Sequence, residues 1–159
     1  MTSRAGSGRN ARMKWIDLPP VWLAGFIALT YLIGTGLPLV GSEAHIGWVA
    51  GLFISAGLVA MGAAVFEMAR AKTTVIPHRE ADALVQSGIF ALSRNPIYLG
   101  DVLVLVGFVI WFKAPLALLL VPVFIFVIRL RFIEPEETRL AAKFGAAFAS
   151  YCARTRRWI

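Results

Sequence analysis

The sequence predicts an all-α, polytopic membrane protein. Four transmembrane helices form two hairpins, and a C-terminal amphipathic helix lies on the cytoplasmic side. Hydrophobic residues make up 58% of the 159 residues and charged residues only 16%, whereas about a quarter of an ordinary soluble domain is charged. Residues 21–40 and 46–66 are uncharged runs of 20 and 21 residues. A helix of about 20 apolar residues spans a bilayer.

The N-terminal half is predicted to be a basic tail, residues 1–18, followed by the first hairpin, residues 19–69. The tail has no apolar periodicity, so we expect it to be disordered or to lie on anionic headgroups. The run 21–40 is too long for the apolar region of a cleavable signal. Small residues at four-residue spacing in the second helix let helices approach closely in lipid and favour a tight hairpin. They are Gly47, Gly51, Ala56, Ala60 and Ala64.

A polar cytoplasmic loop, residues 70–96, precedes the second hairpin, residues 97–133. The third helix holds one acid, Asp101. Pro115 favours a turn between the helices. The uncharged run that follows reaches only ~22 Å as a helix, so we expect it to continue to residue 133, with Arg129 and Arg131 snorkelling or facing a polar cavity. Ionisable groups at membrane depth are candidates for function.

Residues 134–159 are predicted to form an amphipathic helix and a basic, aromatic tail. Apolar side chains recur there at three- and four-residue steps, as on one face of a helix. They are Leu140, Phe144, Ala147, Phe148 and Tyr151. Pro135 suits the first turn, and Glu136 and Glu137 suit the positive end of the helix dipole.

The basic residues indicate the topology. Of the 16 Lys and Arg residues, 15 lie in the N-terminal segment, the middle loop and the C-terminal segment, and only Lys113 lies in a predicted outer link. The positive-inside rule then places both termini in the cytoplasm, and we expect a bacterial inner membrane protein. The net charge of +7 is thus explained without nucleic acid. The single cysteine, Cys152, excludes an internal disulfide, and no Cys/His cluster predicts a metal site.

Two motifs stand on either side of the second hairpin. Residues 88–100 read GIFALSRNPIYLG, and the order of Gly, Phe, Arg, Asn-Pro, Tyr and Gly resembles the first signature of a membrane methyltransferase family. The second signature begins at Glu136-Glu137 and continues through Leu140, Phe144-Gly145, Tyr151 and Arg154. Together they resemble the isoprenylcysteine carboxyl methyltransferase family and its relatives, the phospholipid N-methyltransferases. The resemblance covers residues 73–159.

This resemblance implies that S-adenosylmethionine is the methyl donor, held among the membrane helices and closed over by the C-terminal segment. It implies cofactor contacts from His78, Gly88, Phe90, Asn95, Pro96, Tyr98, Leu99, Gly100, Glu136 and Glu137. It implies catalytic roles for Arg94, Glu137 and Arg154. No metal ion is expected.

The chemistry of these residue types suits such a cofactor. The glutamates can attract its cationic groups, and an arginine can hold its carboxylate. Each residue also has a structural alternative. Glu136 and Glu137 could only complement the helix dipole, worth ~0.3–1 kcal/mol. Arg94 could be an interfacial anchor and Tyr98 part of an aromatic belt. His78 could be a solvated loop residue.

The sequence departs from the eukaryotic prenylcysteine enzymes in ways that affect the acceptor more than the cofactor. Asn95, which with Pro96 also suits a helix cap and first turn, replaces the usual His. Arg154-Thr155-Arg156 replaces the usual Arg-Val-Pro. The first hypothesis is methylation of a lipophilic carboxylate, oriented by Arg94 or Arg154. The alternative is N-methylation of an aminolipid, in which a glutamate acts as base. Hypotheses of another class are a noncatalytic lipid-binding protein and an NADPH-dependent sterol-reductase-like protein.

Overall fold

A computed structural model describes residues 18–37, 46–74 and 81–159, and these residues are helical with no strand. The α-helices are α1 (Pro19–Gly36), α2 (Ile46–Arg70), α3 (Pro96–Trp111), α4 (Leu120–Ile128) and α5 (Glu134–Arg154). Two 3₁₀ turns, Gly88–Ala91 and Pro115–Leu119, precede α3 and α4, and a π-helical turn, Arg129–Ile133, joins α4 to α5. The all-α prediction is confirmed for this part of the chain. The predicted tail, the first link and His78 lie outside it.

Three helical stretches of the described residues are long and apolar enough to cross a membrane. They are α1, most of α2 and the 40-residue stretch Pro115–Arg154. These three stretches could form three of the four predicted spans. The helix α3 is apolar but has 16 residues. Its length is therefore ~24 Å, short of a ~30 Å hydrocarbon core.

The helix α3 lies at the centre of the bundle, and both α1 and α2 pack against it. Glycines bring α2 and α3 together: a Cβ atom at Gly57 would lie 2.6 Å from the Gly100 carbonyl, and one at Gly107 would lie 2.6 Å from Ile54. By contrast, Gly47 and Gly51 have nothing within 4 Å. The predicted tight packing of α2 against α1 is therefore wrong. Other glycines on α2 and α3 provide the close approach, because α3 supplies glycines of its own.

The hydrophobic core fills the space between α1, α3 and α4. The Phe26 and Phe124 rings meet edge to face at 5.1 Å, which ties α1 to α4. The Tyr98 and Phe132 rings lie 6.3 Å apart and tie α3 to the π-helical turn. Buried around them are Leu23, Val104, Leu105, Ile128 and Ile133. These contacts fix the starts of α1 and α3 beside the end of α4, and we call this the charged end of the bundle.

The helix from Pro115 to Arg154 does not stop where the sequence predicts a new helix. The π-helical turn carries it from α4 into α5 without a break. The interruption comes later, at Gly145, whose φ of 47° and ψ of −119° are not helical. Beyond it, Phe148 and Tyr151 of the predicted apolar face are buried, whereas Ala147 of the same face is exposed. The bend at Gly145 directs the last part of the chain back over the charged end.

Candidate active site at the charged end

Two arginines share one carboxylate at the centre of the site. Glu137, in the first turn of α5, lies 3.3 Å from Arg94 Nη1 through one oxygen. Its other oxygen lies 2.5 Å from Arg157 Nη2, and Arg157 Nε also donates to the first oxygen at 3.2 Å. The Glu137 and Arg94 side chains are each only 15% exposed. The hydrogen bond to Glu137 raises the pKa of Arg157, so this guanidinium stays charged.

The C-terminal tail is bound to the segment that carries the first motif. The Arg94 N–H donates to the Arg156 carbonyl at 3.0 Å. Ser93 Oγ and Asn95 Nδ2 both donate to the Arg157 carbonyl, at 3.3 and 3.1 Å. The Tyr151 hydroxyl donates to the Phe90 carbonyl at 2.6 Å. These bonds join segments about 60 residues apart in the sequence and hold the two motifs together.

The neighbouring glutamates of α5 serve different partners. While Glu137 binds arginines, the Glu136 carboxylate accepts a hydrogen bond from the Tyr98 hydroxyl at 3.2 Å. The Tyr98 side chain is 7% exposed and packs on Phe132. A carboxylate, a phenol and aromatic faces therefore lie together just inside the bundle. Such a surface can bind a ligand that is partly cationic and partly aromatic.

Both motif glycines bring the backbone close to α2. Gly88 has a φ of +57°, and a Cβ atom there would lie 2.7 Å from the Glu67 carboxylate. A Cβ atom at Gly100 would meet the Met61 side chain. A cavity of about 390 Å³ lies beside Gly88 and is lined by Glu67, Arg70, Ala71 and Ser87. Gly88 therefore borders an open groove, and Gly100 belongs to the contact between α2 and α3.

Comparison with known protein families identifies the family of this chain. A sequence model of the phospholipid methyltransferase family matches residues 46–147. The chain belongs to the phospholipid methyltransferase family. The match runs from α2 to the middle of α5 and so includes both paired glutamates and all of α3.

A relative matches part of the chain. An uncharacterized protein of Haemophilus influenzae is 40% identical over 63 residues, which is 40% of this chain and all of that protein. No solved structure matches the chain. The family match confirms the resemblance that the two motifs predict.

The protein, a member of a methyltransferase family, brings five of its twelve predicted site residues to one place. Glu137, Arg94 and Asn95 lie in the central cluster, and Tyr98 and Glu136 lie beside it. Arg154 lies apart: its Nη2 donates to the Gln86 side chain at 2.9 Å on the exposed surface. Leu99 is half-buried, and Pro96 is buried at the start of α3. His78 lies outside the described residues.

Two members of the site are missing from the sequence prediction. Arg157 makes the shortest ion pair to Glu137, although the sequence places it in a basic interfacial tail. The bend at Gly145 brings Arg157 to Glu137. The only feature of the sequence that could have predicted this bend is a glycine inside an amphipathic pattern. Glu67 accepts a hydrogen bond from Ser87 Oγ at 2.6 Å. Glu67 is the one acid of α2, and a lone acid in an apolar helix could have marked it as a candidate in the sequence.

Among the described residues, no group of three His, Cys, Asp or Glu side chains could hold a metal ion. The polar groups at the site suit an organic cofactor better. Arg94 Nε is buried and has no hydrogen-bond partner within the described part of the chain, so it can donate to a ligand carboxylate. Carboxylates and aromatic faces are available for an ammonium group, a ribose and a nucleobase.

Proposed function

We propose that the protein is an S-adenosylmethionine-dependent membrane methyltransferase that acts on a lipophilic acceptor. The observation that carries the proposal is the cluster of Arg94, Glu137 and Arg157 beside the Tyr98–Glu136 pair, where both motifs of the family meet. The Arg94 guanidinium would hold the carboxylate of the cofactor. Glu136 and Glu137 would attract its ammonium group and ribose hydroxyls. When bound, the cofactor supplies an electrophilic methyl group on a sulfonium.

The protein's own contribution would be alignment and the exclusion of water. The Tyr98 ring and the buried Phe132 would form an apolar wall at the reacting centre. The tail, held to Phe90 and to residues 93–95, would close the site on the side away from lipid. Holding two reactants in line for displacement can supply most of the rate enhancement of such a transfer.

We infer that the charged end and both termini face the cytoplasm of a bacterium, with the protein in the inner membrane and α3 as a fourth span. The concentration of 15 of 16 Lys and Arg residues in segments attached to this end supports that orientation. A water-soluble cofactor would then enter from the cytoplasm, and the acceptor would enter from the bilayer.

Two acceptor classes are compatible with this site, and the arginines bear on the choice. A carboxylate acceptor, such as an isoprenyl-thioether acid, would need a free arginine. Arg94 is assigned to the carboxylate of the cofactor, Arg157 binds both oxygens of Glu137, and Arg154 already binds Gln86. This pairing weakens the support for a carboxylate and favours the alternative, an aminolipid. An amine must lose a proton before it accepts a methyl group, so it requires a base.

Calorimetry on the full chain in lipid nanodiscs tests the proposal. Titration with S-adenosylmethionine is expected to give saturable binding, and NADPH is expected to give none. Transfer of a labelled methyl group to an added lipid extract then identifies the acceptor. Binding of NADPH alone would support a reductase-like protein, and binding of neither cofactor would support a noncatalytic lipid-binding protein.

A further inference from the structure

Asp101 is the one described carboxylate that is wholly buried and has no hydrogen-bond partner in the described structure. The residue is 0% exposed, and both of its carboxylate oxygens lack a partner. Other acids near the charged end are bound: Glu136 to Tyr98, Glu137 to two arginines and Glu67 to Ser87. A buried carboxylate without a partner costs several kcal/mol of stability. Ionisable groups kept at such a cost inside a membrane bundle are usually functional.

The position of Asp101 connects it with the proposed cofactor site. It lies three residues after Tyr98, so both side chains lie on the same face of α3, one turn apart. Tyr98 binds Glu136 on the side of the charged end, and Asp101 lies deeper in the bundle. Asp101 therefore lies nearer the middle of the bilayer than the cofactor residues, at the depth where an acceptor dissolved in lipid would meet the cofactor.

A second buried polar atom without a hydrogen-bond partner belongs to a residue of α1 at a similar position along the bundle. Trp22 Nε1, on α1, has no hydrogen-bond partner among the described residues. The helices α1 and α3 run side by side, because Gly34 of α1 abuts Phe112 at the end of α3. Trp22 precedes Gly34 by 12 residues, and Asp101 precedes Phe112 by 11. At ~1.5 Å per residue these distances are nearly equal. Trp22 and Asp101 thus occupy similar positions along neighbouring helices, and each has a buried polar atom that a ligand can satisfy. The Arg131 guanidinium lies 5.2 Å from the Trp22 ring.

We propose that Asp101 binds the reacting headgroup of the acceptor and takes up its proton. This inference rests on the proposed methyltransferase function. It requires an acceptor whose nucleophilic atom carries hydrogen, as in the amine or the hydroxyl of a lipid headgroup. An acceptor that reacts as a carboxylate carries no such proton and would be repelled by Asp101.

The step balances in protons and electrons. The headgroup N–H or O–H gives its proton to an oxygen of the Asp101 carboxylate, and the lone pair on nitrogen or oxygen attacks the methyl carbon. The bond between that carbon and sulfur breaks, and its electron pair stays on sulfur as a neutral thioether. A positioned base contributes typically about 10²- to 10⁴-fold to such a reaction.

If Asp101 had only a structural role, its carboxylate would be hydrogen-bonded within the protein. Thr30 of α1 shows what a structural polar group does at membrane depth: it is 0% exposed, and its hydroxyl donates to the Phe26 carbonyl at 2.8 Å. Its polar atom is satisfied within its own helix. Asp101 has no such bond and would stabilise the bundle less than a leucine of similar size.

The test uses Asp101→Asn and Asp101→Leu in the full chain, with Thr30→Val as the matched control for loss of a buried polar group. Each protein is placed in nanodiscs with phosphatidylethanolamine as the amine probe, phosphatidylglycerol as the hydroxyl probe, or a farnesyl-thioether carboxylic acid. Calorimetry gives the affinity for S-adenosylmethionine, and labelled methyl transfer gives the rate. Thermal unfolding followed by circular dichroism gives the stability.

The expected result is methyl transfer to the amine or the hydroxyl probe by the unaltered protein and by Thr30→Val. Both Asp101 variants should bind S-adenosylmethionine within about threefold of the unaltered protein but transfer methyl at least about 100-fold more slowly. Asp101→Leu should also raise the Tm of the cofactor-free protein by a few degrees. The active probe identifies the nucleophile as an amine or a hydroxyl.

Three results would overturn the inference while leaving the proposed function intact. They are unchanged transfer in Asp101→Asn, transfer to the carboxylate probe alone, and a Tm of Asp101→Leu below that of the unaltered protein. Failure of the unaltered protein to bind S-adenosylmethionine would overturn the proposed function itself. Calorimetry separates that outcome from the other three.

Discussion

The two ends of the bundle are held together by different kinds of contact. At the charged end, hydrogen bonds and ion pairs join residues about 20 to 70 positions apart, as in the contacts of Glu137 with Arg157 and of Arg154 with Gln86. At the far end, α1 and α3 meet through close packing. A Cβ atom at Gly34 would lie 2.6 Å from the Phe112 carbonyl, and the Tyr31 and Phe112 rings lie 5.3 Å apart.

We infer from this difference that the far end of the bundle mainly provides stability and that the charged end mainly provides ligand binding. Packing contacts are short-range and depend on shape, so a change at the far end should alter the free energy of unfolding and leave ligand binding as it is. Polar contacts at the charged end orient groups that can also bind a ligand. A change there should alter binding more than unfolding. The predictions below test this separation, from the largest expected effect to the smallest.

The largest effect is expected for Glu137→Gln at the charged end. The change leaves Arg94 and Arg157 without their shared carboxylate. A hydrogen bond between charged groups is worth about 1.5–3 kcal/mol, so affinity for S-adenosylmethionine should fall roughly 10- to 150-fold. Calorimetry in nanodiscs measures it. The control is Glu134→Gln, which removes an exposed pair with Arg129 and should change affinity less than about threefold. Equal effects of both variants would refute the assignment of the site.

At the far end, Gly34→Ala should change stability instead. The added methyl group would overlap the Phe112 carbonyl, which belongs to the backbone and yields little. The matched control is Gly36→Ala, since nothing lies within 4 Å of a Cβ atom there. We expect Gly34→Ala to be about 1–3 kcal/mol less stable than Gly36→Ala, with the same cofactor affinity. Thermal unfolding followed by circular dichroism tests this, and a loss of affinity in Gly34→Ala would contradict the separation.

A smaller effect is expected for Gly145→Ala, because only backbone strain is involved. The φ of 47° disfavours a residue with a side chain, although a Cβ atom would contact nothing within 4 Å. The strain, about 1–2 kcal/mol, should release the tail from the motif segment without unfolding the bundle. Hydrogen exchange at the Arg94 amide, which donates to Arg156, reports this release. Gly25→Ala, in open space on α1, is the control and should leave exchange unchanged.

The smallest effect is expected for Tyr151→Phe. The change removes only the hydroxyl that donates to the Phe90 carbonyl. It should weaken docking of the tail by about 0.5–1.5 kcal/mol and increase exchange at the Arg94 amide correspondingly. Tyr31→Phe, at the exposed far end of α1, is the matched control and should have no effect there. Faster exchange in the control than in Tyr151→Phe would show that the Tyr151 hydroxyl does not hold the tail.

The sequence was most informative where a single physical rule acts alone. Uncharged runs predict the helices, because a bilayer excludes charge over a fixed thickness. The motif positions predict that Glu137 and Arg94 belong to one site. The helices lie where the uncharged runs predict them, and Glu137 and Arg94 are in contact, because both outcomes require only composition, period and order along the chain.

Prediction failed where the outcome depends on which helices become neighbours. The glycines of α2 mark a helix that can approach another closely, but not which helix it approaches. Gly57 meets α3 because Gly100 also lacks a side chain. Arg157 was missed for a similar reason, since a backbone break at Gly145, rather than periodicity, returns it to Glu137.

The docked tail also gives the protein an optical reporter of its own. Trp158, next to Arg157, packs against the hydrophobic core, whereas Trp48 is 67% and Trp111 56% exposed. Release of the tail would move the Trp158 indole from an apolar environment into water and shift its emission to longer wavelengths. A protein that keeps only this tryptophan would therefore show by fluorescence, without any label, when the site opens and when a ligand holds it closed.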